Sequence, residues 1–215
     1  MALTPPDPAE PAPASTRRGG RPSRADAERL GEHILAAAAA LLLTQGFDAT
    51  SMEAIAASAG VSKRTLYARF ADKGAVLRAV VADLVASRLP GFTAALAEPD
   101  LPAALTNAAG HMLDAALHPT GLGLYRLLVA EAGRIPALPA LLHEAGANSG
   151  IAQLASRLAA AGLPDPAWRA EQFQRLVVGA PQARALGLGP PMTAPERADH
   201  IARVVALLLL DKNSF

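Results

Sequence analysis

The stretch Ser51–Phe70 constrains this chain of 215 residues more than any other. Two short helical patterns, 51–59 and 63–70, are separated only by the turn around Ala59-Gly60-Val61-Ser62. So short a link makes one helix fold back across the other. Gly60 stands where the backbone must turn left-handed, which glycine does without steric cost. Ala56 is small where the helices cross, and Val61 and Leu66 can plug the space between them. Thr50 and Glu53 form a T-x-x-E pattern, which predicts a capping box with Thr50 as N-cap. Ser62 is the expected N-cap of the second helix. Leu66 and Phe70, four apart, share an inward face, which puts Lys63, Arg64, Thr65 and Arg69 largely on the other faces.

The remaining sequence predicts an all-α protein: an N-terminal three-helix helix-turn-helix domain and a C-terminal helical domain. Apolar residues make up 51% of the chain and aromatics 4%. Alanine and leucine favour helix, and strand formers are sparse. Leu30, Ile34, Ala37 and Leu41 recur at helical spacing in a first helix over 25–44, stopped at Gly46. Phe47 is expected to pack on that stripe. Asp72 caps a fourth helix over 73–89, with Leu77, Val80 or Val81, and Leu84 inward and Pro90-Gly91 as its stop. Further helices are expected over 94–117, 122–131, 138–161, 167–185 and 194–210. Residues 1–24, rich in Pro, Ala, Gly and Arg, read as a disordered basic arm. Residues 25–73 form the first domain, with its helix-turn-helix at 51–70, and 74–215 the second.

Net charge is only +1, so its distribution matters more than its sum. Arg17, Arg18, Arg21 and Arg24 carry no acid among them. Lys63, Arg64, Arg69 and Lys73 face Asp72 alone. From Gly74 onward eleven basic and eleven acidic residues cancel. The excess charge lies in two short N-terminal patches, a pattern suited to nucleic acid. There is no cysteine, so disulfides and thiolate metal sites are excluded. The longest uninterrupted apolar runs, 34–43 and 204–210, fall short of the ~20 residues of a membrane span. The N-terminus has no apolar signal core. A cytoplasmic protein without a membrane partner is expected.

The segment 20–81 resembles the N-terminal domain of TetR/AcrR-family regulators. The matching pieces run in order: Leu42-Leu43-Thr44-Gln45-Gly46-Phe47, Ala49-Thr50-Ser51-Met52, Ile55-Ala56, Ala59-Gly60-Val61-Ser62, Thr65-Leu66-Tyr67, Phe70 and Asp72-Lys73. The resemblance implies double-stranded operator DNA as partner. Ser62, Lys63, Arg64 and Thr65 would face the major groove, and Ser51, Tyr67 and Lys73 the phosphates. Arg21 and Arg24 of the arm are further DNA candidates. Arg69 departs from the commoner Y-x-H/Y-F ending, and is read as either a phosphate contact or a solvated charge.

Farther along, Arg126–Pro136, Glu171-Gln172-Phe173 and Val178-Gly179-Ala180-Pro181 resemble the second domain of the AefR-like branch. That resemblance implies a homodimer built by the last two helices, with Phe173, Val177, Ile201, Val205 and Leu208 as interface candidates and a palindromic operator. Residues 201–210 are apolar nearly all round. A partner helix would cover them, as would a fully buried position in the chain's own core.

A small apolar ligand is expected between the helices of 94–161. Met112, Leu113, Leu117, Leu124, Tyr125, Leu128 and Leu142 are lining candidates, and His111, His118, Tyr125 and Arg126 would orient the ligand. His111, Asp114 and His118 share a helix face, but without further ligands the default is no metal. Glu131 and Arg134 are spaced for a local ion pair. No cofactor is expected. G-x-S-x-G, the P-loop, the dinucleotide glycines and H-E-x-x-H are all missing, so enzyme readings lack parts. The competing functions are a non-specific architectural DNA binder and a small-molecule-binding module that no longer engages DNA.

Overall fold

The computed structural model describes residues 23–133 and 150–210. Among them every regular element is a helix: α1 (Arg24–Ala49), α2 (Met52–Ser58), α3 (Lys63–Tyr67), α4 (Lys73–Ala86), α5 (Leu89–Leu96), α6 (Leu101–Leu117), α7 (Pro119–Glu131), α8 (Gly150–Ala160), α9 (Pro166–Ala183) and α10 (Ala194–Leu209). A single π-helical turn, Arg184–Leu188, continues α9.

Serine, threonine and aspartate start most of these helices by accepting the backbone N–H groups that a first turn leaves unpaired. Ser23 and Asp26 form a reciprocal capping box on α1, and Thr193 and Glu196 form another on α10. Asp72 caps α4 and Asp100 caps α6. The box expected at Thr50 and Glu53 does not form. Gly46, at φ +82°, breaks α1 before its last turn, and Thr50 Oγ1 donates back to the Gly46 carbonyl at 2.7 Å. Thr50 is therefore buried, and Ser51 caps α2 in its place.

Two further boundaries differ from expectation for one reason. Proline fixes φ at a helical value and lacks the N–H that a first turn cannot use, so it starts helices as readily as it stops them. Pro90 lies in the first turn of α5 rather than ending α4, which stops at Ala86. Pro119 likewise lies in the first turn of α7. The helix expected over 94–117 is two helices, α5 and α6. The expected helix 138–161 is described only from Gly150.

Two apolar clusters organise the chain. The first gathers Ile34, Ala38 and Leu42 of α1, Met52, Ile55 and Ala56 of α2, Leu66 of α3, and Val76, Leu77, Val80 and Val81 of α4. The α1 stripe is rotated one position from the expected one, so that Leu30, Ala37 and Leu41 flank it half-buried. Leu124, Leu127 and Leu128 of α7 belong to this cluster too. Gly123 lets α7 approach α1, because a Cβ there would stand 3.3 Å from Leu43 Cδ2. The second cluster packs α5, α6, α8, α9 and α10 around Phe92, Leu105, Leu113, Leu154, Leu158 and Phe173. Arg169, buried in it, donates to the carbonyls of Pro164 (2.9 Å), Leu208 and Leu210 (3.1 Å). A guanidinium there satisfies the unpaired carbonyls at the C-terminus of α10.

Two stretches, Arg24–Ala49 and Lys73–Leu96, have the length and hydropathy of a membrane span. The second is interrupted between α4 and α5. Ile34 and Leu42 in the first, and Val76, Leu77, Val80 and Val81 in the second, point into the first cluster.

Candidate nucleic-acid interface

α2 and α3 meet at the turn the sequence predicts. Gly60 takes φ +61°, and Val61 N–H donates to the Ala56 carbonyl at 2.9 Å, closing the turn over the small residue. Leu66 is wholly buried beneath α3. With that anchor in the core, Ser62, Lys63, Arg64 and Tyr67 lie exposed on the outer side, and Thr65 is half-buried.

These residues are not equally free. Ser62 Oγ accepts the Thr65 N–H at 3.0 Å and lies 2.8 Å from Thr65 Oγ1, so both hydroxyls help start the helix. Lys63 Nζ sits 3.1 Å from Glu53 of α2. The Glu53 carboxyl is held below its ordinary range by its own backbone N–H first and by Lys63 second. Both side chains are more than half exposed, so the pair is weak. Arg64 has no side-chain partner among the described residues and is the unengaged cation of α3. Tyr67 is 49% exposed. Ser51 is exposed, with its hydroxyl accepting the Ala54 N–H at 3.0 Å.

Two predicted DNA contacts are engaged elsewhere. Arg69 turns away from the outer side of α3 and donates to the Ala27 carbonyl of α1 at 2.6 Å, with its guanidinium over Gly31. Arg69 stays exposed, and this bond ties the chain just after α3 to α1. A glycine within a helix was the sequence signal for this close approach. Lys73 is half-buried; its ammonium donates to the Phe47 and Asp48 carbonyls and stands 4.3 Å from the centre of the Phe47 ring. It closes the last turn of α1 rather than reaching outward. Arg24 is exposed at the start of α1 and pairs with Glu28 at 3.0 Å. Arg21 lies outside the described residues.

A cavity of about 400 Å³ lies between α4–α7, α8 and α9. His111, Tyr125, Met112, Leu124 and Leu128 line it. His118 does not, because its Nδ1 accepts the Thr120 N–H at 3.3 Å as the cap of α7. Arg126 is exposed on the far side of α7, and Leu113 and Leu117 pack in the second cluster. Leu142 and Arg134 lie outside the described residues. Arg88, Gln174 and Gln182 line the cavity without having been expected there. Among the described residues no group of three metal-ligating side chains comes together.

The expected dimer residues face inward. Phe173 and Val177 have no exposed surface, and Val205 and Leu208 keep 6% and 5%. Ile201 is half-buried against the same cluster. Of the two covers open to the last helix, its own core accounts for these side chains. The outer faces of the same helices instead expose Trp168 and Leu176 on α9 and Leu207 on α10, with Leu210 beyond its end.

Residues 34–80 match the family model for bacterial regulatory proteins of the tetR family, and residues 103–210 match that for the C-terminal domain of AefR-like transcriptional repressors. A crystal structure from Mesorhizobium loti, titled as a TetR-family transcriptional regulator, is 28% identical over 87% of this chain and 97% of its own, with a TM-score of 0.75. The flavonoid-responsive regulator FrrA is 34% identical over 85% of this chain and 96% of its own, with a TM-score of 0.66. A TetR-family structure from Rhodococcus, 19% identical over 85% of this chain and all of its own, shares the fold at a TM-score of 0.71. No curated protein matches.

Proposed function

We propose that this chain, which belongs to the TetR family of bacterial regulatory proteins, is a homodimeric repressor that binds a palindromic operator and leaves it when a small molecule fills the cavity. The observation that carries DNA binding is α3. Its core side is anchored by Leu66, while Ser62, Lys63, Arg64, Thr65 and Tyr67 lie together along its outer side. On this reading Arg64 reads a base edge, and Lys63 and Tyr67 hold phosphates. The backbone of Ser51 at the start of α2 offers N–H groups to a phosphate. The arm with Arg21 and its neighbours reaches an adjacent minor groove.

The outer faces of α9 and α10 supply the dimer contact. A twofold dimer sets its recognition helices about 34–36 Å apart, in successive major grooves. Operator binding places its work in the cytoplasm. Ligand response is supported by α7, whose Leu124 and Leu128 both line the cavity and belong to the cluster under the helix-turn-helix. A ligand that binds one arrangement of α7 better shifts the population toward it, and the operator opposes that shift by the same coupling energy. FrrA is a flavonoid-responsive regulator; here too the effector is read as a small, largely apolar molecule.

Selection of bound duplexes from a random library at near-physiological salt tests the proposal. A recovered palindrome supports it. Binding without a motif points to an architectural DNA binder instead. No binding by a folded dimer, freed of bound ligand, points to a module without DNA activity.

A further inference from the structure

The cavity has an apolar body and one cationic end. Phe92, Met112, Leu124, Leu128 and Leu154 supply the body. Arg88 is the one charged side chain among the described residues lining it, and none of those residues is an Asp or Glu. Arg88 stands at the joint between α4 and α5, half-buried. One of its five N–H donors reaches the Leu84 carbonyl at a long 3.3 Å, and it has no carboxylate partner among the described residues.

His111 of α6 stands beside it, with Nε2 at 2.9 Å from the Arg88 carbonyl. A carbonyl only accepts, so Nε2 carries a proton. The other ring nitrogen, Nδ1, has no described partner, and it can accept a hydrogen bond or, once protonated, donate one. The ring fits only because residue 91 is glycine: a Cβ there would lie 2.4 Å from His111 Cε1. The remaining polar lining is the Tyr125 hydroxyl and the amides of Gln174 and Gln182, all neutral. A cation in an apolar wall, with no counter-ion among the described residues, is a preformed half of an ion pair, and charge-assisted hydrogen bonds are the strong ones.

We infer that the effector is an apolar molecule ending in an anionic oxygen acid, a carboxylate or an acidic phenol, with its charge seated on Arg88 beside His111. This rests on reading the cavity as the effector site. It adds to that reading the sign and chemistry of the headgroup.

Calorimetric titration of the full chain at near-neutral pH, with naphthoate, nitronaphthol and uncharged naphthamide as probes, tests it. The acids are expected to bind roughly tenfold tighter than the amide, the worth of one charge-assisted hydrogen bond. The tighter acid identifies the headgroup. Arg88→Gln is expected to remove that preference by weakening the acids and not the amide. Met112→Trp, which fills the cavity, is expected to abolish all binding, with circular dichroism confirming that each variant folds. Equal binding of acid and amide, or equal loss of both in Arg88→Gln, overturns the anionic headgroup. The cavity reading survives either result if Met112→Trp still blocks binding. A wild-type protein that binds no probe, or Met112→Trp binding like wild type, overturns the cavity reading and this inference with it.

Discussion

Leu207 and Leu208 are neighbours on α10, and exchanging which of them is altered should exchange the property that fails. Leu207 is 49% exposed and Leu208 5% exposed in one protomer. Full burial of a leucine side chain is worth about 1.5–3 kcal/mol, so covering the exposed half is worth about 1 kcal/mol. A twofold interface repeats the contact, which makes about 2 kcal/mol, or roughly thirtyfold in the dimer dissociation constant. Leu207→Glu forfeits that and forces a carboxylate on each side to lose water, at a further cost of several kcal/mol. The variant is expected to be a folded monomer at micromolar concentration. Leu208→Ala empties space in the protomer's own core and is expected to cost about 2–5 kcal/mol of folding stability. Sedimentation velocity across a dilution series reports the first property, and urea unfolding at one fixed, high protein concentration the second. A Leu207→Glu protein that remains dimeric refutes the assignment of the outer face. So does a Leu208→Ala protein that dissociates while its unfolding is unchanged.

Lys73→Met should cost about 1–2 kcal/mol in urea unfolding, because the Phe47 and Asp48 carbonyls lose their charged donor and the Phe47 ring its cation. It should leave the salt dependence of DNA binding unchanged; a slope lower by about one would place the ammonium on a phosphate instead. Arg64→Ala should relax base preference at one operator position by about 1–3 kcal/mol in competition binding, whereas Tyr67→Phe should weaken all sequences alike. Glu196, in the box with Thr193, is held below its ordinary value of 4.5, first by the Thr193 backbone N–H and then by its hydroxyl. A depressed carboxyl stabilises the fold above its ordinary value and loses that contribution as pH falls through the lowered one. Glu196→Gln should therefore lower the thermal midpoint at neutral pH and converge with wild type in strong acid. Gly150→Ala would put a Cβ 2.0 Å from the Phe92 ring, so the ring must shift or the joint strain. Thermal denaturation should show a loss of about 1–3 kcal/mol, with cavity probes binding more weakly.

The helix-turn-helix was legible because its constraints are local. A left-handed Gly60, a small Ala56 and a Leu66 four before Phe70 leave one way to fold, and the structure has it. What the sequence misplaced near this site were long side chains. Lys63, Arg64, Arg69 and Lys73 look alike as a run of charge, yet their heads meet different neighbours: Glu53, no described partner, the Ala27 carbonyl, and the end of α1. A charged head at the tip of a flexible stem goes where a third element places an acceptor, and spacing does not encode that element. Gly31, Gly91 and Gly150 held part of the missing information. Each is a small residue where Arg69, His111 or Phe92 approaches closely.

The misread dimer face has a different cause. Periodicity separates apolar from polar sides, but over residues 201–210 it finds apolar residues on nearly every side. Such a helix serves its own core and a partner at once, and the pattern alone does not say which residue serves which. Assigning Val205 and Leu208 to the partner left α6 and α9 without the side chains that close over Phe173. Within the protomer that debt is settled first: Val204, Val205 and Leu208 are buried, and Leu207 and Leu210 remain outside. The buried Arg169 fixes the choice, because its bonds to the Leu208 and Leu210 carbonyls hold the end of α10 on the start of α9. Rotating α10 to offer Leu208 to a partner would take two of the buried guanidinium's three acceptors and leave only the Pro164 carbonyl, a larger cost than half a leucine left in water.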